Sequence, residues 1–240
     1  MRFFVSSKDI LSDVVTIKGN DCIHIGVSLR SRPGDVITVC DEMMREYTCS
    51  IVSITPETVT AKIIDMNIAA AEPCVKIHLY QSLAKGDKLD LIIQKATEIG
   101  VHDITLVSSK RCIVKYDEKD RVKKIERFSK IAESAAKQSG RGIVPVVFPP
   151  VDIKTALSDA KGQKLFCYEL EQGHSLKEEV SGKDFDEISV FIGPEGGYTS
   201  EEAELAVWHG AQPVTLGKRI LRCETAPLFV LSCLMYEFDL

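Results

Sequence analysis

The chain has 240 residues, a formal net charge of −5 and 45% apolar residues, the make-up of an ordinary globular protein rather than a disordered or membrane-spanning one. The length suits one large domain, or a small domain joined to a medium one. The acidic average argues against non-specific capture of nucleic acid, because neutralising phosphate takes Lys and Arg.

The apolar opening, Met1-Arg2-Phe3-Phe4-Val5, is far too short for a signal-peptide core. The longest uncharged run, 225–236, is too short to span a bilayer. Cysteines stand at positions 22, 40, 49, 74, 112, 167, 223 and 233 with no CxxC pair. No structural zinc site is expected, and scattered unpaired cysteines fit a reducing, cytoplasmic compartment.

A helical turn is expected within 21–29. Strand-type alternation follows at Val36–Val39, Tyr47–Ile54 and Val59–Ile64, separated by the turn signals Arg32-Pro33-Gly34-Asp35 and Thr55-Pro56-Glu57. This is a small β-rich module with the pattern of a barrel. After Ala69-Ala70-Ala71-Glu72-Pro73 the texture changes, which puts a domain boundary at residue 72 and divides 1–72 from 73–240. Strand-like runs at 75–80, 104–107, 144–148, 165–168, 188–192 and 214–216 then alternate with helical patterns at 87–99, 119–138, 153–160, 200–209 and 225–238. Such alternation predicts an α/β domain with a mostly parallel sheet. Ligands of these sheets sit beyond the carboxyl ends of the strands.

Three segments could carry chemistry. The loop after 188–192 reads Gly193-Pro194-Glu195-Gly196-Gly197-Tyr198-Thr199-Ser200-Glu201-Glu202, and Thr199 with Glu202 forms a capping-box signature for a following helix. Its glycines let the backbone turn tightly and approach a ligand, yet their spacing matches neither the dinucleotide fingerprint nor the phosphate loop. A tight turn without a ligand is an equally good reading of the residues alone. The second loop, Leu216-Gly217-Lys218-Arg219-Ile220-Leu221-Arg222-Cys223-Glu224-Thr225-Ala226-Pro227, again joins a strand to a helix and gathers three cations and a carboxylate. Loop charges are usually solvated, but two glycine-bearing turns at strand ends of one sheet suggest a shared cleft.

The third segment is the long helix. From Lys110 to Arg141 there are 11 Lys/Arg against 5 Asp/Glu, a local charge of +6 in an acidic chain. At the helical period Val122, Ile125, Phe128, Ala132 and Ala136 share one face. Lys119, Lys123, Arg127, Lys130 and Lys137 line the opposite face over roughly 27 Å, at about 1.5 Å per residue. A solvated amphipathic face is the plainer reading; a one-sided stripe in an acidic chain also suits tracking of phosphates. The helix breaks at Gln138-Ser139-Gly140-Arg141-Gly142. The five histidines show no metal-ligand spacing, and no Gly-x-Ser-x-Gly elbow exists.

Taken together, the blocks Ile192-Gly193-Pro194-Glu195-Gly196-Gly197-Tyr198 and Leu216-Gly217-Lys218-Arg219-Ile220-Leu221-Arg222-Cys223-Glu224-Thr225-Ala226 resemble the paired signatures of the RsmE-type ribosomal RNA methyltransferases of the SPOUT superfamily. The likeness extends to Lys85-Gly86-Asp87-Lys88, to Ile93-Gln94-Lys95-Ala96-Thr97-Glu98-Ile99-Gly100-Val101, to Arg111-Cys112-Ile113-Val114-Lys115, to Gln138-Ser139-Gly140-Arg141, and to Arg2-Phe3-Phe4-Val5 and Arg32-Pro33-Gly34-Asp35. It covers nearly the whole chain in order. It departs from the family pattern near the N-terminus, where a usual His pair is reduced to His24, and at Phe128, Lys137, Cys223 and Pro227.

The resemblance implies an N-terminal PUA-like β-barrel over 1–72 and a C-terminal SPOUT-type α/β domain over 73–240 with a deep trefoil knot. It implies a homodimer that uses S-adenosylmethionine to methylate N3 of a uridine in 16S rRNA, within the small ribosomal subunit and away from membranes. The cofactor would be held at Ile192, Gly193, Pro194, Gly196, Gly197, Leu216, Gly217, Ile220, Leu221, Thr225 and Ala226. RNA would be met by Arg2, His24, Arg30, Lys123, Arg127 and Lys130. For the chemistry, Arg141, Gln138 and Arg222 are candidates to stabilise a uracil anion, and Glu195 or Glu224 to take the proton or balance the sulfonium. Two other readings remain open: a methyltransferase of this superfamily acting on another target such as a tRNA ribose 2′-hydroxyl, and a non-catalytic RNA-binding protein.

Overall fold

The computed structural model describes residues 1–239, and the chain forms two compact units. The first comprises Met1–Glu72 together with Ala136–Val144, and the second comprises Pro73–Ala135 and the chain from Pro145 onward. Residues 136–144, which the sequence reading leaves in the C-terminal domain, therefore cluster with the first unit.

The first unit is built on a six-stranded sheet in the order β1-β4-β5-β6-β3-β2. The strands are β1 (Arg2–Phe4), β2 (Ile10–Leu11), β3 (Val14–Lys18), β4 (Val36–Cys40), β5 (Arg45–Ile54) and β6 (Thr58–Ile68). Only the β1–β4 pair is parallel. Period-two alternation sends Val15, Ile17, Ile37, Val39, Ile51 and Val59 into one core with Phe3, while Val36 and Val52 stay exposed. Irregularities in β5 at Thr48/Cys49 and Ile51/Ser53 bend the long β5–β6 ribbon. The helical turn expected at 21–29 is present as α1 (Asn20–Ile23) and a wider turn over His24–Ser28, which add Cys22 and Ile25 to the core. Strands β1, β2 and β3 escaped the sequence reading because runs of two to five residues hold too little of a period to register.

One buried ion pair organises this unit. Arg141 is 3% exposed; its Nε donates to Glu72 Oε1 at 3.0 Å and its Nη2 to Glu72 Oε2 at 2.6 Å. The same Oε1 accepts from the main-chain N–H of Gly142 at 2.7 Å and of Ile143 at 3.2 Å. Arg2 donates to the Arg141 carbonyl at 3.0 Å and pairs with Glu46 at 2.7 Å. A buried carboxylate with this many donors is compensated for its lost hydration, and the bidentate geometry adds orientation.

The second unit has a six-stranded, wholly parallel sheet in the order β12-β10-β11-β7-β8-β9. Its strands are β7 (Lys76–Ser82), β8 (Asp103–Ser108), β9 (Val146–Asp152), β10 (Gln163–Cys167), β11 (Glu187–Ile192) and β12 (Gln212–Val214). The helices are α2 (Lys88–Ile99), α3 (Glu118–Ser139), α4 (Ile153–Asp159), α5 (Leu176–Val180), α6 (Ser200–Trp208) and α7 (Ala226–Phe238). On one face of the sheet Tyr80, Val107, Phe166 and Phe191 pack with Tyr198 and with Ala156, Leu157, Ala203 and Ala206 of α4 and α6. The other face carries α7, which packs on α2 and against β7 and β11. α7 is apolar nearly all round, as a helix buried on a sheet should be.

The α/β class and parallel sheet expected from the alternation are borne out. β9 lies later than expected, and its Pro149-Pro150 is tolerated because it is an edge strand with no ladder to complete on its outer side. On α3, Phe128 and Ala132 are buried, but Val122 is 57% exposed, so the apolar face begins later than the helical period suggested. No helix among the described residues is long and apolar enough to cross a membrane.

Removing one partner of the Glu72–Arg141 pair strands a buried charge. Arg141→Met is expected to destabilise the protein by roughly 3–5 kcal/mol, read as a lowered midpoint in urea unfolding. The double variant Glu72→Gln with Arg141→Met should recover part of that loss.

Candidate active site

Since every strand of the second sheet runs the same way, the segments leaving β7, β8, β10, β11 and β12 emerge from one edge. The segment after β11 turns at once, with Gly197 N–H donating to the Pro194 carbonyl at 2.9 Å. Gly197 has φ +66°, and a Cβ there would fall on the Glu169 carboxylate in the segment after β10. Only glycine meets both demands. Helix α6 then starts as the capping box requires, with Glu202 N–H on Thr199 Oγ1 at 3.2 Å and Thr199 N–H on Glu202 Oε2 at 2.9 Å.

The segment after β12 turns through Gly217, whose N–H meets Thr215 Oγ1 at 3.3 Å. The Arg222 carbonyl accepts from Thr225 N–H at 2.8 Å and Ala226 N–H at 2.9 Å. Those bonds launch α7, with Pro227 in its first turn. Between them Leu216 and Leu221 are half-buried, while Ile220 is 82% exposed, an apolar side chain with nothing over it.

Lys88, in the first turn of α2, joins the two turns. Its Nζ lies 3.0 Å from Glu195 Oε1 and 3.4 Å from Glu224 Oε2. The Lys85 N–H also donates to Glu195 Oε1, at 2.9 Å. The Cys223 thiol donates to Glu224 Oε2 at 3.3 Å. Burial works to raise the Glu195 and Glu224 pKa values, but the hydrogen bonds and the Lys88 ammonium outweigh it and hold both below the ordinary value. The hydrogen bond to Glu195 in turn raises the Lys88 pKa. Desolvation pushes the Cys223 thiol up to about 12, so at neutral pH it is a donor and not a thiolate nucleophile.

The remaining expected site residues divide between this edge, the first unit and α3. Arg222 is exposed, its guanidinium 4.0 Å from Glu224. Gln138 and Arg141 belong to the first unit, where Gln138 is exposed and the Arg141 guanidinium is engaged by Glu72. The expectation of a free Arg141 guanidinium is thus corrected, because a buried cation needs a carboxylate partner and has one. Arg2 is likewise engaged by Glu46, against the expectation of an open RNA contact. His24 is exposed with its ring edge-on to Phe3 at 6.3 Å, and Arg30 is exposed with φ +54°. Of the cationic stripe, Lys137 pairs with Asp21 at 2.7 Å, and Arg127 pairs with Asp90. Lys123, Arg127 and Lys130 line a groove of about 410 Å³ with Glu126, Ile131 and Ser134.

The sequence reading missed Lys88, Glu169 and Arg111 as site residues. A signal existed for Lys88: a cation in the first turn of a helix opposes the macrodipole, so its presence there points to carboxylates close by. Arg111 and Glu169 reach the turn from the segments after β8 and β10, far off in the chain, and carry no local signal of that contact.

The profile of a family described as an RNA methyltransferase domain matches residues 70–235. The chain belongs to that family. A ribosomal RNA small subunit methyltransferase E of Bacillus subtilis (strain 168) is 33% identical over 250 residues, spanning 100% of this chain and 97% of that protein. A ribosomal RNA small subunit methyltransferase E from Neisseria gonorrhoeae, solved bound to S-adenosyl methionine, is 34% identical with a TM-score of 0.86, over 98% of this chain and 96% of that one. A methyltransferase from Legionella pneumophila, solved with bound SAM, is 30% identical with a TM-score of 0.87 and the same coverage. The RsmE-type resemblance read from the motifs is borne out by these matches.

In this methyltransferase family member, main-chain hydrogen bonds hold both carboxylates ionised against burial, and Lys88 adds to that hold on each. The stability they gain from ionisation is present above the ordinary carboxylate pKa near 4.5 and is lost as pH falls through the lowered folded values. Carboxyl ¹³C titration should put both midpoints below 4.5 in the wild type and move both upward in Lys88→Met. Unmoved midpoints would remove Lys88 from its bridging role.

Proposed function

We propose that this protein is an S-adenosylmethionine-dependent methyltransferase acting on N3 of a uridine in 16S rRNA of the small ribosomal subunit. The observation that carries the reading is the pair of glycine-bearing turns, 193–197 and 216–222, gathered at one sheet edge and tied together through Lys88. The names of the relatives support the ribosomal RNA target, and the two SAM-bound neighbours support the cofactor.

The residues fit that cofactor. The cradle at Gly193 and Gly197 is one that side chains would fill, since a Cβ on Gly193 would press on the Gly197 backbone and the Tyr198 ring at 3.3 Å. Main-chain groups of Ile192, Gly193, Pro194, Gly196 and Gly197, with those of Leu216, Gly217, Leu221, Thr225 and Ala226, would hold the nucleoside, and exposed Ile220 would cover it. Glu195 and Glu224 share Lys88, with the exposed Arg222 at the edge of Glu224, and two ionised carboxylates would be available to face a sulfonium. Bound S-adenosylmethionine supplies an electrophilic methyl group.

Uridine N3 carries a proton and attacks only after losing it. Ionised carboxylates with lowered pKa values are poor bases, so Glu195 and Glu224 are assigned to charge balance, and the N3 proton leaves to solvent. Charge then spreads onto O2 and O4 of the ring, where a cation would stabilise it. Arg222 can swing to that position; Arg141 is assigned to the Glu72 clasp. Because N3 lies on the Watson–Crick edge, the base must be unpaired when it reacts.

The family likeness supports reading the first unit as a PUA-like barrel that meets RNA through His24 and Arg30. It also supports a trefoil knot around the 193–225 loops, a homodimer and a cytoplasmic location. The groove on α3 is assigned to phosphate contact through Lys123, Lys130 and Arg127.

Reverse transcription across 16S rRNA tests the target. A methyl at N3 blocks pairing and stops the polymerase, so cells lacking this protein should lose one stop that wild-type cells retain. Persistence of every stop would sink the uridine reading. For the groove, Lys123→Glu with Lys130→Glu is expected to weaken RNA binding about tenfold or more and to flatten its salt dependence, with cofactor affinity by calorimetry unchanged. Equal RNA affinity at low salt would return that face of α3 to a merely solvated one.

A further inference from the structure

We propose that Arg111, in the segment after β8, is the guanidinium that stabilises the uracil anion. The assignment rests on the uridine-N3 reading of the site and deepens it.

Three observations carry it. The first is anchorage: Arg111 Nη1 donates to the Gly196 carbonyl at 2.7 Å, within the turn assigned to the cofactor. Its stem lies against that turn, so that a Cβ on Gly196 would meet Arg111 Cβ at 3.3 Å and Cδ at 3.5 Å. Gly196 has no positive φ, so the close approach of Arg111, not the backbone conformation, is what calls for glycine here.

The second is rigidity at its base. Lys110 N–H donates to Glu202 Oε1 at 2.7 Å, and the Cys112 thiol lies 3.4 Å from the Leu83 carbonyl and 3.2 Å from Ser109 Oγ. Residues on both sides of Arg111 are therefore fastened, Lys110 to the first turn of α6 and Cys112 to the segment after β7.

The third is unneutralised charge. Among the described residues the Arg111 guanidinium makes no ion pair, and only one of its five N–H donors is engaged, by a neutral carbonyl. Arg111 is exposed to solvent but anchored by that bond, whereas the other cations at this edge are neutralised or loose. Lys88 faces two carboxylates, Lys110 pairs with Glu201, and the Arg222 side chain is 83% exposed. A donor fixed before the reaction stabilises developing charge without reorganising, which a swinging side chain cannot do.

The step balances simply. The N3–H bond breaks and its proton passes to solvent; the N3 electron pair forms the new bond to the methyl carbon, and the carbon–sulfur pair returns to sulfur. Arg111 holds the negative charge on a ring oxygen in between.

The test compares wild type, Arg111→Gln and Arg111→Lys on isolated small subunits. For Arg111→Gln, S-adenosylhomocysteine affinity by calorimetry should stay near wild type, while saturated kcat falls about a hundredfold or more. The pH at which log kcat levels off should rise by about one unit or more, because a nearby cation favours the ionised base. Arg111→Lys should recover part of that pH shift. An unshifted pH break in Arg111→Gln, whatever the change in kcat or cofactor affinity, overturns the assignment and leaves Arg111 a strap on the turn. An inactive wild type on this substrate overturns the uridine reading and the assignment with it, whereas an active wild type with an unshifted variant overturns only the role of Arg111.

Discussion

The parallel sheet of the second unit is the constraint from which its site follows. When β7, β8, β10, β11 and β12 all run one way, their carboxyl ends share an edge, and every connection must leave that edge by a turn. Short turns into helices need residues that tolerate tight backbone at 197 and 217 and close approach at 193 and 196, which puts four glycines in one place without any ligand being invoked. What makes the edge more than a set of turns is the charge placed among them. Lys88 could have faced solvent at the start of α2; it faces two carboxylates from separate loops.

Cations in this chain divide by what they touch, and that division matters more than their number. Arg2, Lys137 and Arg141 are engaged within the first unit by Glu46, Asp21 and Glu72. Lys123, Lys130 and Arg111 make no ion pair among the described residues. An acidic total of −5 is thus compatible with selective contact to a polyanion, since the engaged cations hold the fold and the others remain available. The same sequence block, Gln138 to Arg141, reads alike in both roles; only the position of Glu72, far back in the chain, separates them.

Local signals were legible where the physics is local. The Thr199–Glu202 cap, the helical starts and ends of α2, α4 and α7, and the core strands of both sheets all follow from spacing and turn chemistry, and the two loops that meet at the site could be paired from the sequence. The domain boundary at residue 72 could be placed from the change in texture, but nothing in a helical period announces that residues 136–144 cluster with the first unit. Strands β1 and β3 are too short to show a period. Val122 sits on the expected apolar face yet lies in the turns of α3 that precede its packed part. Glu169 under Gly197, and Arg111 over Gly196, are contacts between segments 28 and 85 residues apart, and no window of sequence can contain them.

These contacts also bear on which part of the reaction the protein must assist. A carboxylate held ionised by a lysine gains little by taking a proton, because protonation would break the pair that positions it. The carboxylates here are therefore better suited to facing a positive charge than to acting as a base. On the proposed uridine reading the difficulty then lies with the nucleophile, a ring nitrogen whose proton leaves only if the charge left behind is stabilised. A fixed cation with unoccupied donors answers that need in a way a second carboxylate would not, since another negative group beside the ring would raise the cost of forming the anion. Carboxylates from two turns and a guanidinium bonded to one of those turns supply both signs of charge that the proposed reaction of a cation with an anion calls for.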